Sequence, residues 1–320
     1  MMVNAIETVG LTKYYDKLCA VDHLTLSVNN EIFALLGPNG SGKTTSVLML
    51  TTLLRPTEGS AAICGHDVVR EGEAVRKSIS YVPQDMAVDI KLTGRENVLL
   101  FARLYGIKNP KDKTDEVLAI MELSDRADDL IRTYSGGMRR RLELAQALVH
   151  EPEVLFLDEP TIGLDVAARK KIWEHIRMLR KNGMTIFVTT HYMDEADQFC
   201  DRVGIISRGA IAALDTPAAL KAQLEKDVIT VRVSGTPGPV DIPGVHLVGR
   251  LDDEITFAAD NGREAMPLLT RALEAQGVKV TSLSMREPTL DDVFLHAVGT
   301  AEEPGHFDFQ QFRTMLRRRK

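Results

Sequence analysis

Five residues in this chain are of the types that handle phosphate: Lys43, Thr44, the adjacent acids Asp158 and Glu159, and His191. The first two close the stretch Gly37-Pro38-Asn39-Gly40-Ser41-Gly42-Lys43-Thr44, which fits G-x-x-x-x-G-K-[ST] without a mismatch. An apolar run, Ile32 to Leu36, precedes it and Ser46 to Leu50 follows, so the expected context is strand, loop, helix. Glycines there let successive backbone N–H groups point inward, and the following helix turns its positive end to the same anion. Lys43 is then placed to hold β- and γ-phosphates, and the Thr44 hydroxyl can ligate Mg²⁺. With Thr45 beside it, the stretch from Gly37 is the expected nucleotide-binding segment. Alone, the loop says only "nucleotide phosphate", because kinases, GTPases and motor proteins share it.

The other chemistry lies at strand ends. Val154 to Leu157 is wholly apolar, as a central parallel strand should be, and it terminates in Asp158-Glu159-Pro160. The two acids point in different directions, so Asp158 can reach Mg²⁺ through water while Glu159 orients or deprotonates the attacking water. A second apolar strand, Thr185 to Thr190, carries His191 at its carboxyl end, where ligands of nucleotide-binding parallel sheets lie; a ring N–H there either bonds γ-phosphate or is satisfied structurally. Gln84 follows the strand Ile79 to Val82 and is either a sensor for Mg²⁺ or water through its amide oxygen or a solvated turn residue. Tyr15, placed in a loop Tyr14-Lys17, either stacks on adenine or packs on a sheet edge. Ser135-Gly136-Gly137 before a helix is a second anion-binding device, and one chain does not need two. The duplication suggests that it caps the nucleotide of a second copy, the alternative being a plain Ser-Gly-Gly helix cap. Arg139-Arg140-Arg141 beyond it reads first as a solvated helix face.

These residues need a scaffold. The chain has 320 residues, 44% of them apolar, enough for about two domains with real cores. A net charge of −6 and few aromatic residues argue against a broad nucleic-acid surface. Cys19, Cys64 and Cys200 lack metal-binding spacing and read as reduced thiols of a cytosolic protein. No apolar run reaches the roughly 18 residues of a membrane span, and no basic-then-apolar signal pattern opens the sequence. Strands are expected over 3–10 and 22–36, a helix over 45–54 closed by a turn at 55–59, and a helix over 166–180. Between Thr93 and Ser124 apolar residues recur at spacings of three and four, the mark of an all-α insertion. Composition shifts near Asp227, after which strands over 228–233, 245–248, 255–258 and 278–284 alternate with helices over 263–276 and 290–298. This is a small α+β domain without a catalytic constellation.

Together, in order and spacing, these motifs resemble the ATP-binding-cassette ATPases over about residues 3 to 220. Gly37 to Thr44 looks like Walker A, Val154 to Glu159 like Walker B, and Gln84 like the Q-loop glutamine. Tyr134 to Met138 resembles the family signature, Gly163-Leu164-Asp165 the D-loop, His191 the switch histidine, and Tyr15 the adenine-stacking aromatic. One departure is Tyr-Ser-Gly-Gly-Met, where the family commonly has Leu-Ser-Gly-Gly-Gln. That variant, with residues 189–197 and 287–294, is similar to cassette subunits of the daunorubicin-resistance type, which energise drug, lipid or polysaccharide exporters.

The resemblance implies an α/β P-loop NTPase domain over 1–225 with the helical insertion at about 90–150, an accessory α+β domain over 226–300, and a basic aromatic tail over 301–320. It implies hydrolysis of ATP with Mg²⁺ by a homodimer or heterodimer of such subunits at the cytoplasmic face of a membrane, held there by separate integral-membrane permease subunits. Asp165 enters the nucleotide site on this ground. A cassette protein acting on DNA would carry a long coiled coil between Lys43 and Ser135, where only about ninety residues stand, and a ribosome-associated factor would carry two cassettes. A non-hydrolysing binder would lack Glu159 or His191. The tail reads first as disordered, with docking on a membrane or partner as the alternative.

Overall fold

In the computed structural model, which describes residues 4–224, 227–235 and 237–299, the chain divides into two compact units, Met1–Pro217 and Ala218–Lys320. The tail over 301–320 lies outside the described residues.

The first unit is built on a six-stranded sheet of order β10-β9-β3-β8-β7-β6, where β3 is Ile32–Leu36, β6 Ile79–Val82, β7 Val154–Asp158, β8 Thr185–Thr190, β9 Arg202–Ser207 and β10 Ala210–Asp215. All pairs are parallel except β9 with β10. Every residue of β3, β7 and β8 is buried, which is why these strands read as continuous apolar runs. Register does the functional work: Leu36 lies opposite Thr190, Asp158 opposite Thr189, and Val82 opposite Leu157. The residues that follow each strand therefore emerge along one edge.

An antiparallel sheet of order β2-β1-β4-β5 covers one side, formed by β1 (Ile6–Tyr15), β2 (Leu18–Val28), β4 (Glu58–Ile63) and the two-residue β5 (His66–Asp67). Ile6, Leu24, Val28 and Ile63 from this sheet share a core with Val47 and Met49 of α1 (Lys43–Leu50) and with Phe33, Phe156 and Phe187. The Phe187 ring centroid lies 5.3 Å from that of Phe33 and 5.5 Å from that of Phe156. Each such buried ring contributes about 1.5–3 kcal/mol. Three expectations change here. Tyr14 and Tyr15 are the last residues of β1 rather than a loop. The run 22–36 is two strands in different sheets, separated by a turn at Asn30 with φ +44°. Glu58 and Gly59 open a strand instead of closing a turn, and Gly59 is required because a Cβ there would come within 2.1 Å of the Gly10 carbonyl oxygen.

The insertion consists of α3 (Gly94–Leu104) and α4 (Pro110–Ile120), preceded by the short α2 (Gly72–Ser78) and followed by α5 (Gly136–Leu148). A capping box starts α3: Thr93 accepts from the Glu96 N–H, and Glu96 accepts from the Thr93 N–H at 2.8 Å. Pro110 at the first position starts α4. Tyr134 is buried beneath these helices, and its hydroxyl donates to the Arg126 carbonyl at 2.6 Å. Two further helices, α6 (Val166–Lys181) and α7 (Met193–Phe199), flank the parallel sheet, and the division of the chain falls within α8 (Pro217–Ala222).

The second unit is a four-stranded antiparallel sheet of order β12-β13-β11-β14, with β11 Asp227–Ser234, β12 Val245–Leu251, β13 Glu254–Ala259 and β14 Lys279–Arg286. Ala265, Leu269 and Leu273 of α9 (Gly262–Ala275) pack on Ile229, Val231 and Phe257. In the closing helix α10 (Leu290–Gly299), Leu290, Val293 and Phe294 are buried. Asp292 accepts from both terminal nitrogens of Arg286 and from the Thr289 N–H at 2.8 Å. Burial alone would push its carboxyl up, but Arg286 and Thr289 outweigh that and hold it below the usual aspartate range. A depressed carboxylate stabilises the fold above its ordinary value of about 3.9 and loses that contribution as pH falls through the lowered value. Asp292→Ala should destabilise the second unit by about 1–3 kcal/mol at neutral pH, with the difference from the parent shrinking toward pH 2. Urea unfolding at both pH values measures this, and an unchanged midpoint at pH 7 would refute it.

Candidate nucleotide site

The loop between β3 and α1 is shaped by its glycines. Gly40 and Gly42 have φ of +81° and +105°, and a Cβ on Gly42 would lie 2.4 Å from the Ala20 carbonyl oxygen. Gly37 is equally constrained, with Ile206 O 2.4 Å from where its Cβ would be. Gly42 caps α1, whose first residues are Lys43 and Thr44, with Thr45 next. Pro38 and Asn39 complete the bend, and Ser41 N donates to Pro38 O at 3.2 Å. The Ser41 hydroxyl is buried without a partner, the kind of group a phosphate oxygen would satisfy.

Lys43 Nζ donates to the carbonyls of Gly37 at 2.8 Å and Pro38 at 3.1 Å and lies 3.6 Å from Glu159 Oε1. Burial pulls its pKa down, opposed by Glu159 and Asp158. Asp158 accepts from the hydroxyls of Thr44, at 3.0 Å, and Thr189. Glu159 is 5% exposed. Its backbone is left-handed at φ +48°, which for a non-glycine residue costs on the order of 1–3 kcal/mol and persists only where surroundings enforce it. Here Glu159 N donates to both the carbonyl and the hydroxyl of Thr189, at 3.0 and 3.1 Å. This turns the carboxylate back toward Lys43 on one side and His191 on the other. His191 Nδ1 stands 2.8 Å from Glu159 Oε2, although it has no acceptor at hydrogen-bonding geometry, so the contact is one of proximity. Burial raises the Glu159 pKa, but His191 and Lys43 outweigh it and leave the carboxylate below its ordinary value.

Five expected residues, Lys43, Thr44, Asp158, Glu159 and His191, are thus brought together in one cluster. Gln84 is not part of it: it lies exposed beyond β6, without a hydrogen bond to Thr44 or Asp158. Tyr15, at the end of β1, is 44% exposed, with Lys13 Nζ 5.5 Å from its ring centre. Ser135, Gly136 and Gly137 begin α5. The Ser135 hydroxyl accepts from Met138 N at 3.2 Å, and Ser135 and Gly136 are exposed, with no hydrogen bond to the loop at Gly37–Thr44 among the described residues. Gly137 has a local task as well, since a Cβ there would come within 2.8 Å of that of Ala168 on α6. Asp165 caps α6 by accepting from Ala168 N at 2.8 Å.

The triple arginine is not a solvated face. Arg140 is buried, and Arg141 donates to the carbonyls of Met121 and Glu122 at 2.9 and 3.1 Å. Thr189 and Glu195 also belong to the site's frame, the latter accepting from the Thr161 hydroxyl at 2.7 Å and pushed up in pKa by burial. Nothing in the sequence separates Thr189 from any strand threonine, or Glu195 from any helical acid.

The arrangement is a phosphate-binding loop with a lysine, a hydroxyl and two acids at its mouth. The ABC transporter family matches residues 21–162, and the DrrA1-3-like C-terminal domain of ATP-binding proteins matches residues 216–298. Daunorubicin resistance ATP-binding protein DrrA3 of Streptomyces coeruleorubidus is 42% identical over 307 residues, covering 93% of this chain and 97% of that one. Nod factor export ATP-binding protein I of Burkholderia pseudomallei is 37% identical over 308 residues, with 93% and 98% covered. Among solved structures, the dimeric post-hydrolysis state of the ATP-binding cassette MJ0796 bound to ADP and Pi matches with TM-score 0.60 and 26% identity over 66% of this chain and 98% of that one. The chain therefore belongs to the ABC transporter family, as an ATP-binding subunit with ATPase activity whose C-terminal unit is of the DrrA1-3-like type.

Proposed function

We propose that this ATPase drives export through separate integral-membrane permease subunits, hydrolysing ATP at two composite sites in a head-to-tail dimer. The observation that carries the reading is a site only half built in one chain. The phosphate loop, the acids and His191 form a cluster, while the Ser135-Gly136 end of α5 lies exposed and, among the described residues, shares no hydrogen bond or ion pair with them. A helix N-terminus with free backbone donors is a second anion-binding surface, and a partner's nucleotide would occupy it. Among the described residues no helix is long and apolar enough to cross a membrane, so coupling to transport would run through partner chains at the cytoplasmic face. The relatives named for drug resistance and Nod factor export support the outward direction.

Lys43 and the loop amides from Gly37 to Thr45 hold the phosphates. Thr44 and Asp158 offer hydroxyl and carboxylate oxygens, the hard donors Mg²⁺ takes, and Gln84, exposed beyond β6, would have to move in to add its amide oxygen. Among the described residues no cluster of three acids, histidines or cysteines could hold a metal alone, so nucleotide oxygens would complete the set. Mg²⁺ there would neutralise charge between the β- and γ-phosphates. Glu159 orients and deprotonates the attacking water, and His191 contacts the γ-phosphate. Tyr15 stacks on adenine, and Asp165 lines the same composite site.

Two measurements test this. Glu159→Gln should lower kcat roughly 10²–10⁴-fold with ATP binding intact, and ATP should accumulate a dimer in gel filtration; a monomeric variant with parental turnover would sink the proposal. Tyr15→Ala should raise the KM for ATP about five- to hundredfold with little change in kcat, the equivalent of about 1–3 kcal/mol of base stacking. An unaltered KM would remove Tyr15 from the site.

A further inference from the structure

Arg140 is 4% exposed, and a buried guanidinium persists only when its charge is paired and its N–H groups are bonded. All five are. Nε donates to Pro160 O at 2.9 Å, one terminal nitrogen to Pro83 O at 2.7 Å and Glu143 Oε2 at 2.9 Å, and the other to Asp158 O at 3.1 Å and Glu159 O at 3.3 Å. Glu143, one helical turn on, is buried too, and its other oxygen accepts from Ala87 N at 2.7 Å. One ion pair on α5 therefore grips three segments: its own helix, which begins at Ser135; the stretch 83–87 that contains Gln84; and three consecutive carbonyls of the turn 158–160.

We propose that Arg140, supported by Glu143, is a positioning residue for hydrolysis: it holds Glu159 in its left-handed conformation and ties that conformation to the Gln84 segment and to the Ser135 helix. The inference rests on the reading of Glu159 as the residue that prepares water. Glu159 is pinned from both sides, its N–H by Thr189 and its carbonyl by Arg140. Release of the carbonyl side frees the turn to relax toward negative φ, which swings the carboxylate away from Lys43 and His191. The fork of five donors is what the site uses, and an ammonium with three rotatable donors cannot replace it. The same clamp gives movement at residues 83–87 or at the start of α5 a direct route to Glu159.

Arg140→Lys keeps the charge opposite Glu143 but cannot span five acceptors. In the full-length protein, kcat for ATP should fall roughly 10–100-fold, as expected of a misplaced reacting group, with KM within about twofold because Lys43 and its loop are untouched. The decisive readout is the double variant. Because Arg140 acts through Glu159, adding Arg140→Lys to Glu159→Gln should lower the residual rate no further. A merely structural role would multiply the two losses, and that result, or parental kcat in Arg140→Lys, would overturn the proposal. Should Arg140→Lys fail to fold, Glu143→Gln carries the test. It keeps the shape and an acceptor for Ala87 N but removes the countercharge, so the same kcat-only loss, smaller in size and absent in the Glu159→Gln background, is expected; an unchanged kcat would refute the clamp. If Glu159→Gln itself keeps parental turnover, the assignment of Glu159 fails, whatever Arg140 does.

Discussion

The lateral register of the parallel strands is the constraint on which the site depends. Leu36, Thr190, Asp158 and Val82 end their strands at a common edge because Leu36 pairs with Thr190, Asp158 with Thr189 and Leu157 with Val82. Apolar side chains that are buried on both faces enforce that pairing, and a slip of one residue would turn every side chain to the other face. Such a slip would separate the Thr189 hydroxyl from Asp158 and from the Glu159 amide. Residues more than a hundred positions apart in sequence meet because apolar packing sets where each strand stops.

At that edge the fold collects charges that would be costly alone. Lys43, Asp158, Glu159, Arg140 and Glu143 are all buried: Lys43 faces Glu159, Arg140 faces Glu143 and a row of backbone carbonyls, and Asp158 accepts from the hydroxyls of Thr44 and Thr189. Burial lowers the pKa of Lys43 while its anionic neighbours oppose it; burial raises that of Glu159 while Lys43 and His191 prevail against it. The net effect is an ionised pair 3.6 Å apart within a largely dehydrated surface, where electrostatic interactions are stronger than in water. The left-handed turn at Glu159 is held within this network rather than by local preference.

The second unit follows a different logic. Its stretch Glu287 to Phe294 has the look of a functional motif, yet Leu290, Val293 and Phe294 are core residues, while Thr289 donates to Asp292 at the start of α10 and Asp292 pairs with Arg286. These residues serve folding. Tyr134, the departure beside Ser135, is likewise a packing residue: its hydroxyl needs the Arg126 carbonyl, and it lies so near Gly94 that a Cβ there would come within 2.3 Å of the phenol oxygen.

The order of loop, strands and polar strand ends was legible in the residues themselves, since the glycine-rich loop and the apolar runs are local signals with a backbone cause. The same held for the helical insertion and for the alternation of strands and helices in the second unit. Less local features were not legible. The boundary between β2 and β3 depended on which sheet each strand joins, and Tyr15 lay on a strand because β1 pairs with β2 up to Leu18. Arg140 looked identical to its two neighbours, and only the convergence of Pro83, Asp158, Glu159 and Pro160 on one side of α5 singled it out. Sequence determined which chemical groups were present and the strand ends that carry them; tertiary structure decided which were buried together, because burial and pairing depend on distances that only the packed sheet and helices set.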